Sequence, residues 1–441
     1  MRSWPAALVL AGAMFLVLFD SLAVATALPA IGAELGLSTA RLQWVITLYS
    51  LSIGGFLVLG GRVCDLWGRR RLIAASLALT AAGLLLSGVA SGLAPLLLGR
   101  VMQGVGAAFA IPATLASAAT LFPDEPWRSR VFAIVAAAAN TAGVAGAVGG
   151  GLVTSYLGWR WVFLVVAPVA ALAALAALLV LPPDRPPSRR EPLDLVGAVL
   201  ATGGLLAVIF GASRIGEVGP RPVDVATVVV GLLMIGALVW WERRVPYPLI
   251  KPAVVRSRRL VASCLAFGAH SAAYAAVVVV GSLLLQDTYR LSAAQAGLVL
   301  APVLLGALAS AAVAGVLVRR YGSRPVVTTA LLLGAVALAV VAVSAGAALW
   351  LLVVCLAAWG LTAGPIYVAL TRECVGDAAP ADRGMASALF ESTTHIGGAV
   401  SIAVYLTMLS AGAAYATTQL VGAAVAAAAV LTTLLVLPLG D

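Results

Sequence analysis

Apolar residues run through this chain in long blocks, not at the three-to-four spacing of a half-buried helix. Fourteen blocks can be read, at 6–29, 42–61, 72–90, 94–118, 131–153, 161–181, 193–213, 224–241, 260–285, 294–318, 325–344, 348–371, 385–408 and 414–437. A helix that crosses a bilayer needs about 20 apolar residues, with some latitude either side. Polar residues collect between the blocks and seldom interrupt them. The pattern predicts an all-α polytopic membrane protein. The strands of an outer-membrane barrel would alternate apolar and polar residues instead.

Composition strengthens this picture and removes alternatives. Of 441 residues, 62% are hydrophobic and 10% are charged, against about 25% charged in soluble domains. Mean hydropathy is +1.09. A soluble enzyme, a disordered chain and a disulfide scaffold are excluded. Cys64, Cys264, Cys355 and Cys374 show neither metal-ligand spacing nor close pairs, so free thiols and no metal site are expected. No nucleophile–base constellation stands out, so no enzymatic activity is expected. No phosphate-binding loop of the G-x-x-x-x-G-K-S/T type is present, which argues against ATP as the direct driver.

The net charge of +10 suggests nucleic acid until the charges are sorted by side. With the N-terminus placed in the cytoplasm, 21 of the 27 Lys and Arg residues fall inside and five outside, with Arg100 within a span. That split follows the positive-inside rule and puts both termini in the cytoplasm. A basic inner surface attracts anionic lipid, so no nucleic-acid partner is required. Arg2 and Ala23-Val24-Ala25 have the outline of a signal peptide, yet Asp20 interrupts the apolar region, and a retained first span is expected. High Ala, Gly and Arg content with a single lysine, Lys251, suggests a GC-rich bacterial genome; together with the apolar spans, the location expected is a bacterial cytoplasmic membrane.

Two proline-rich segments divide the chain, Pro182 to Pro192 and Glu242 to Arg259. They set apart an N-terminal six-helix bundle (1–181), connectors with two extra helices (182–259) and a C-terminal six-helix bundle (260–441). An internal repeat supports the division. Gly61, Gly68 and Arg70 match Gly315, Gly322 and Arg324, each offset by 254 residues, and Asp65 is replaced by Arg319. Paired homologous bundles argue for a transporter that alternates around a midplane site.

Several segments resemble the major facilitator superfamily, in particular its 14-span drug/proton antiporter branch. Gly61-Arg62-Val63-Cys64-Asp65-Leu66-Trp67-Gly68-Arg69-Arg70 is similar to the family pattern G-x-L-A-D-R-x-G-R-K, with Leu66 in the usual Arg place. The resemblance implies that Gly61, Asp65, Gly68, Arg69 and Arg70 form a conformational latch, with Asp65 meeting the start of the thirteenth span near Arg383 and Gly384. The alternative is a basic loop that only sets topology.

Arg100-Val101-Met102-Gln103-Gly104-Val105-Gly106-Ala107-Ala108 resembles the family's R-x-x-Q-G-x-G-A-A. Arg100 in a span costs about 2.5–3.5 kcal/mol on insertion scales. It either faces a partner in the bundle interior or snorkels outward. Phe19 to Pro29 resembles the first-helix motif L-D-x-T-I-V-N-V-A-L-P, which makes Asp20 the proton-carrier candidate. Asp20 either exchanges its proton against pairing with Arg100 or forms a purely structural buried pair.

Asn140 to Gly151 resembles the antiporter motif G-x-x-x-G-P-x-x-G-G, with Ala147 in place of Pro. Gly143, Gly146 and Gly150 are its packing glycines. Gly158-Trp159-Arg160-Trp161-Val162-Phe163 is close to the branch's G-W-R-W-I-F.

Glu391 and His395, at i and i+4, depart from the branch's usual Asn and Gln. They are read either as a second proton or cation site or as a hydrogen-bonded packing pair. Candidate substrate contacts are Gln103, Asn140, His270, His395, Tyr49 and Trp359, with Trp44 and Tyr367 as further aromatics for a central cavity. Gly364-Pro365 is read as a break in the twelfth span.

The resemblance implies a monomeric proton-coupled exporter of amphipathic small molecules that needs no cofactor beyond a proton gradient. A proton symporter importing a small solute and a lipid exporter are the alternatives.

Overall fold

The computed structural model describes residues 4–37, 39–124, 127–183, 192–291, 293–344, 349–376, 378–379 and 382–436. Arg2, Arg185, Arg189, Arg190 and most of the first proline-rich connector lie outside the described residues, as does the side chain of Asn140.

Among the described residues, fourteen long helices follow one another: α1 (Trp4–Leu35), α2 (Thr39–Trp67), α3 (Arg69–Gly88), α4 (Leu93–Leu121), α5 (Trp127–Leu157), α6 (Arg160–Val180), α7 (Leu195–Val218), α8 (Pro222–Glu242), α9 (Arg258–Asp287), α10 (Ala293–Tyr321), α11 (Ser323–Val343), α12 (Leu349–Gly376), α13 (Arg383–Ser410) and α14 (Tyr415–Val436). Each predicted block overlaps one of them. Among the described residues, twelve helices are long and apolar enough to cross a membrane. The other two, α1 and α13, run for 32 and 28 residues.

The chain forms two compact units. Unit 1 comprises Met1–Ala198, Val245–Ile250 and Ala378–Ala388; unit 2 comprises Val199–Arg244, Lys251–Asp377 and Leu389–Asp441. In unit 1, α4 packs on α1, α2 and α3, while α6 packs on α1 and α3. In unit 2, α12 packs on α9, α10 and α11, while α14 packs on α9 and α11. These are the same pairings displaced by eight helices, so the sequence repeat is also a repeat of packing.

Matched residues perform matched tasks. Gly68 and Gly322 sit at φ 92° and 83° immediately before α3 and α11, a turn that L side chains rarely adopt. Arg70 then donates to the Leu178 carbonyl near the end of α6, and Arg324 donates to the Leu434 carbonyl near the end of α14. Each arginine satisfies a carbonyl that the helix end leaves without an internal donor.

Three features depart from the sequence-based reading. Gly61 to Trp67 is the last part of α2 and not a loop, so only Gly68 makes the turn. Pro365 does not break the twelfth span, because α12 continues through it. Proline removes one backbone donor and displaces the preceding turn, and here the Gly364 amide finds the Ser310 hydroxyl at 3.2 Å. Conversely, α9 contains a π-helical turn over Ala276–Val280 with no Gly or Pro to announce it. Such turns leave carbonyls misaligned. The Tyr405 hydroxyl takes the Ala272 carbonyl and Gln419 Nε2 takes that of Ala276, both at 3.1 Å.

Candidate functional site

In unit 1 the motifs of α1 and α4 meet in one buried chain of polar groups. Asp20 is 3% exposed and Arg100 0%. Arg100 Nη1 lies 2.5 Å from Asp20 Oδ2 and 2.5 Å from Gln103 Oε1. Its Nε donates to the Val45 carbonyl at 2.9 Å. Gln103 Nε2 continues the chain to the Ser87 hydroxyl at 2.9 Å.

Tyr49 supports this chain from the side. Its hydroxyl donates to the Val17 carbonyl at 2.5 Å, and the Arg100 guanidinium sits 4.1 Å from its ring centre. Tyr49 and Gln103 are therefore committed to holding Arg100. Arg100 Nη2 is buried with no hydrogen-bond partner among the described residues. The i, i+3 spacing of Arg100 and Gln103 places both on one helix face. Desolvating two ions costs several kcal/mol each, which pairing offsets only with good geometry. Protonating Asp20 would remove half of that pairing.

The glycines of α5 let this helix close on α1. A Cβ on Gly146 would lie 2.5 Å from the Phe19 carbonyl oxygen, and one on Gly150 would lie 2.6 Å from Ala23 Cα. Both would clash with backbone flanking Asp20. Gly143 is buried on the same helix.

The Asp65 carboxylate caps another helix. Oδ1 accepts from the Gly384 amide and Oδ2 from the Met385 amide, each at 2.9 Å. These are orphan donors in the first turn of α13, where a negative charge also complements the helix dipole. Gly61 packs against this turn, since a Cβ there would lie 2.6 Å from the Gly384 carbonyl oxygen. Arg383 Nη1 reaches the last turn of α4, at the Ala119 carbonyl (3.0 Å) and the Thr120 hydroxyl (3.1 Å). All these groups belong to unit 1, as does the start of α13 up to Ala388. Arg69 opens α3 directly after Gly68.

Unit 2 is different. Trp359, His270, Phe267 and Phe390 form a column of near-parallel rings, with centroid spacings of 5.1, 6.2 and 4.4 Å and interplanar angles of 5°, 17° and 8°. Tyr274 flanks Trp359 at 5.6 Å, and Tyr367 flanks Phe267 at 5.6 Å. The Tyr367 hydroxyl donates to Glu391 Oε1 at 3.0 Å. Glu391 and His395 share one helix but are not hydrogen-bonded to each other.

The W-R pair of the G-W-R-W motif forms a clasp in unit 1. Arg160 pairs with Glu34 at the end of α1 and donates to the Ala90 carbonyl at 3.1 Å. Trp159 Nε1 also donates to Glu34, at 2.8 Å, and the Arg160 guanidinium lies 4.4 Å from the Trp159 ring centre. The Arg160 hydrogen bond, and then that from Trp159, hold the Glu34 carboxyl below the usual range. In unit 2, Tyr415 at the start of α14 donates to Asp287 at the end of α9. Both clasps join the first helix of a repeat to its sixth.

Sequence reasoning did not reveal Ser87, Phe267, Phe390, Tyr274 or Glu34. The i, i+3 spacing of Phe267 and His270 was the available signal for the ring column. Among the described residues, no three His, Cys, Asp or Glu side chains cluster as a metal site.

The family model for the Major Facilitator Superfamily matches residues 10–263 and 260–440, nearly the whole chain. The chain belongs to the major facilitator superfamily. As a facilitator chain with twelve apolar helices among its described residues, it is a multi-pass membrane protein. It is 35% identical to the puromycin resistance protein pur8 of Streptomyces alboniger over 93% of this chain and 82% of that one. It is 35% identical to the cephamycin export protein CmcT of Amycolatopsis lactamdurans, over 92% and 85%. The lincomycin resistance protein of Streptomyces lincolnensis is 32% identical over 92% and 84%. The facilitator fold itself is shared with the human organic anion transporter MFSD10 (TETRAN), at a TM-score of 0.73 and 16% identity, covering 98% of this chain and 100% of that one.

Proposed function

We propose that this protein is a proton-coupled exporter of amphipathic drugs or natural products, working by alternating access in a bacterial cytoplasmic membrane. The carrying observation is the buried Asp20–Arg100 pair with Gln103 and Ser87 behind it. A carboxylate that deep is expensive to keep charged without its arginine, so proton uptake at Asp20 changes what Arg100 pairs with. That change is the coupling step. One charge moving down 100 mV supplies about 2.3 kcal/mol for it.

In this reading the chain crosses the membrane fourteen times, with both termini in the cytoplasm. The two six-helix bundles are 1–181 and 260–441, and residues 182–259 carry the two extra helices. Asp65 on the first turn of α13 is a latch that is released in each cycle. Glu391 and the aromatic column offer a carboxylate and ring faces to substrate, with His270, Trp359 and His395 among the contacts. The protein acts as a monomer among membrane lipids, without a cofactor. Relatives named for resistance to, or export of, puromycin, cephamycin and lincomycin support small-molecule export.

Inside-out vesicles test the reading, with puromycin as one added compound. An exporter takes up compound from the medium and alkalinises an acidified lumen. Asp20→Asn should abolish that exchange. Substrate uptake that acidifies the lumen, or a normal exchange in Asp20→Asn, would reject it.

A further inference from the structure

The π-helical turn divides α9 into two parts, both within unit 2. The first part, Arg258–Ala275, carries Phe267, His270 and Tyr274 to the ring column at Trp359. The last part, Gly281–Asp287, ends on the carboxylate that accepts from Tyr415. In the turn between them the Gly281 amide reaches the Ala276 carbonyl, five residues back instead of four. The turn therefore holds one residue more than a regular helix would. Made regular with that residue still present, it would rotate one part of α9 against the other by about 100°. The ring column and the Asp287–Tyr415 bond could not then both persist.

Two side chains hold the turn. Gln419 Nε2 donates to the Ala276 carbonyl and the Tyr405 hydroxyl to that of Ala272, both at 3.1 Å. Gln419 is 1% exposed, and its Oε1 is buried with no hydrogen-bond partner among the described residues. An apolar side chain of that size would fill the space without stranding an oxygen. Packing therefore does not account for the amide, whereas its bond to the turn does.

Unit 1 supplies the contrast. Arg160 and Tyr415 open the sixth helices of the two repeats, and each is bonded to the end of the first helix. Four residues further on stand Leu164 and Gln419. Gly146 and Gly397 also match, because a Cβ on either would lie 2.5 Å from a first-helix carbonyl oxygen, that of Phe19 or Gly268. Eight residues further on stand Thr154 and Tyr405. Where the matching residues are Leu164 and Thr154, α1 runs as an unbroken α-helix from Trp4 to Leu35. The π turn and its two polar side chains thus occur together in unit 2 and are replaced together in unit 1.

We propose that Gln419, with Tyr405, is a positioning residue that keeps the extra residue in α9, so that the ring column and the Asp287–Tyr415 clasp hold at once. Without Gln419 the clasp gives way, because it is one exposed bond, whereas Trp359 and His270 are buried. The last part of α9 then no longer moves as one body with α14. The effect on transport rests on the alternating-access reading proposed above; the register of α9 does not.

The test introduces Asp287→Cys and Tyr415→Cys into the full chain. A bis-thiol reagent about as long as the lost tyrosine ring bridges them, and mass spectrometry of the joined peptides measures the yield. Bridging should be efficient with Gln419 present and fall about fivefold in Gln419→Leu, the equivalent of one net hydrogen bond. It should return when Val279 is also deleted, because the shortened turn is then a regular helix with its two ends in register. A residue that merely packs would not be rescued by shortening the helix it touches. Unchanged bridging in Gln419→Leu, or no recovery on deletion, overturns the proposal. If Gln419→Leu does not fold, Tyr405→Phe, which removes only a hydroxyl, is read in the same way against the same two outcomes. In vesicles with the native clasp, Gln419→Leu should lower the maximal rate of puromycin exchange and leave its half-saturation concentration unchanged, and deletion of Val279 should restore the rate. A raised half-saturation concentration at an unchanged rate would overturn the assignment to the clasp. Absence of puromycin exchange in wild type would count against the transport reading instead, and bridging alone then decides the register.

Discussion

Unit 1 buries opposite charges and unit 2 buries rings. Asp20, Arg100, Gln103 and Ser87 are linked by hydrogen bonds that each use a defined donor and acceptor. Trp359, His270, Phe267 and Phe390 touch by faces, which specify position loosely and chemistry hardly at all. A hydrogen-bonded ion pair responds sharply to one proton, because losing the charge strands its partner. A ring column instead tolerates many flat or greasy ligands. Glu391 is an exception within unit 2. Among the described residues it accepts from the neutral hydroxyl of Tyr367 and pairs with no cation. In the transport cycle proposed above, the two repeats would divide energy coupling from recognition.

The largest expected effect comes from Arg100→Gln. It leaves the Asp20 carboxylate without its cation, which should cost about 3–5 kcal/mol and abolish coupled transport. Thermal unfolding of the purified protein with vesicle transport measures both, and a stable, coupled variant would break the comparison.

Glu391→Gln should act on ligands instead. Affinity for cationic compounds should fall by about 1.5–3 kcal/mol, while neutral compounds are exported as before. Equal loss for both classes would move Glu391 out of recognition. Asp65→Ala should cost about 1 kcal/mol through loss of the α13 cap. Asp65→Asn keeps one capping oxygen but turns its NH2 donor toward the other backbone amide, so it should recover only part of that stability and transport more slowly than wild type. Membrane insertion, read by surface labelling, should stay normal in both. The smallest change is expected for Trp359→Phe, about 0.5 kcal/mol. It should shift the ranking among aromatic substrates without altering proton exchange.

Much of this organisation is legible in the sequence. The apolar blocks announce every long helix, and the cost of charge in a span draws attention to Asp20, Arg100 and Glu391. What stays hidden is supplied by atoms that leave no pattern. The Val45 and Val17 carbonyls that hold Arg100 and Tyr49 are ordinary backbone. The π-helical turn lies in Ala-Val-Val-Val-Val, where β-branched residues neither mark nor forbid it. The Gly364-Pro365 pair suggested a break because proline removes a donor, but α12 runs through it and the Gly364 amide finds an acceptor in the Ser310 hydroxyl of a neighbouring helix, which sequence spacing cannot show. Ring alignment between α9, α12 and α13 is likewise a property of packing.

The matched arginines, Arg70 on the Leu178 carbonyl and Arg324 on the Leu434 carbonyl, have a consequence beyond the helix ends they serve. The same bond made twice, in two settings, is a built-in control experiment. A substitution in one half has a counterpart 254 residues away that shares its local geometry but not its surroundings. Whatever the two have in common reports on the ancestral scaffold. Where they diverge, as Asp65 and Arg319 do, opposite charges stand at one place in the same framework.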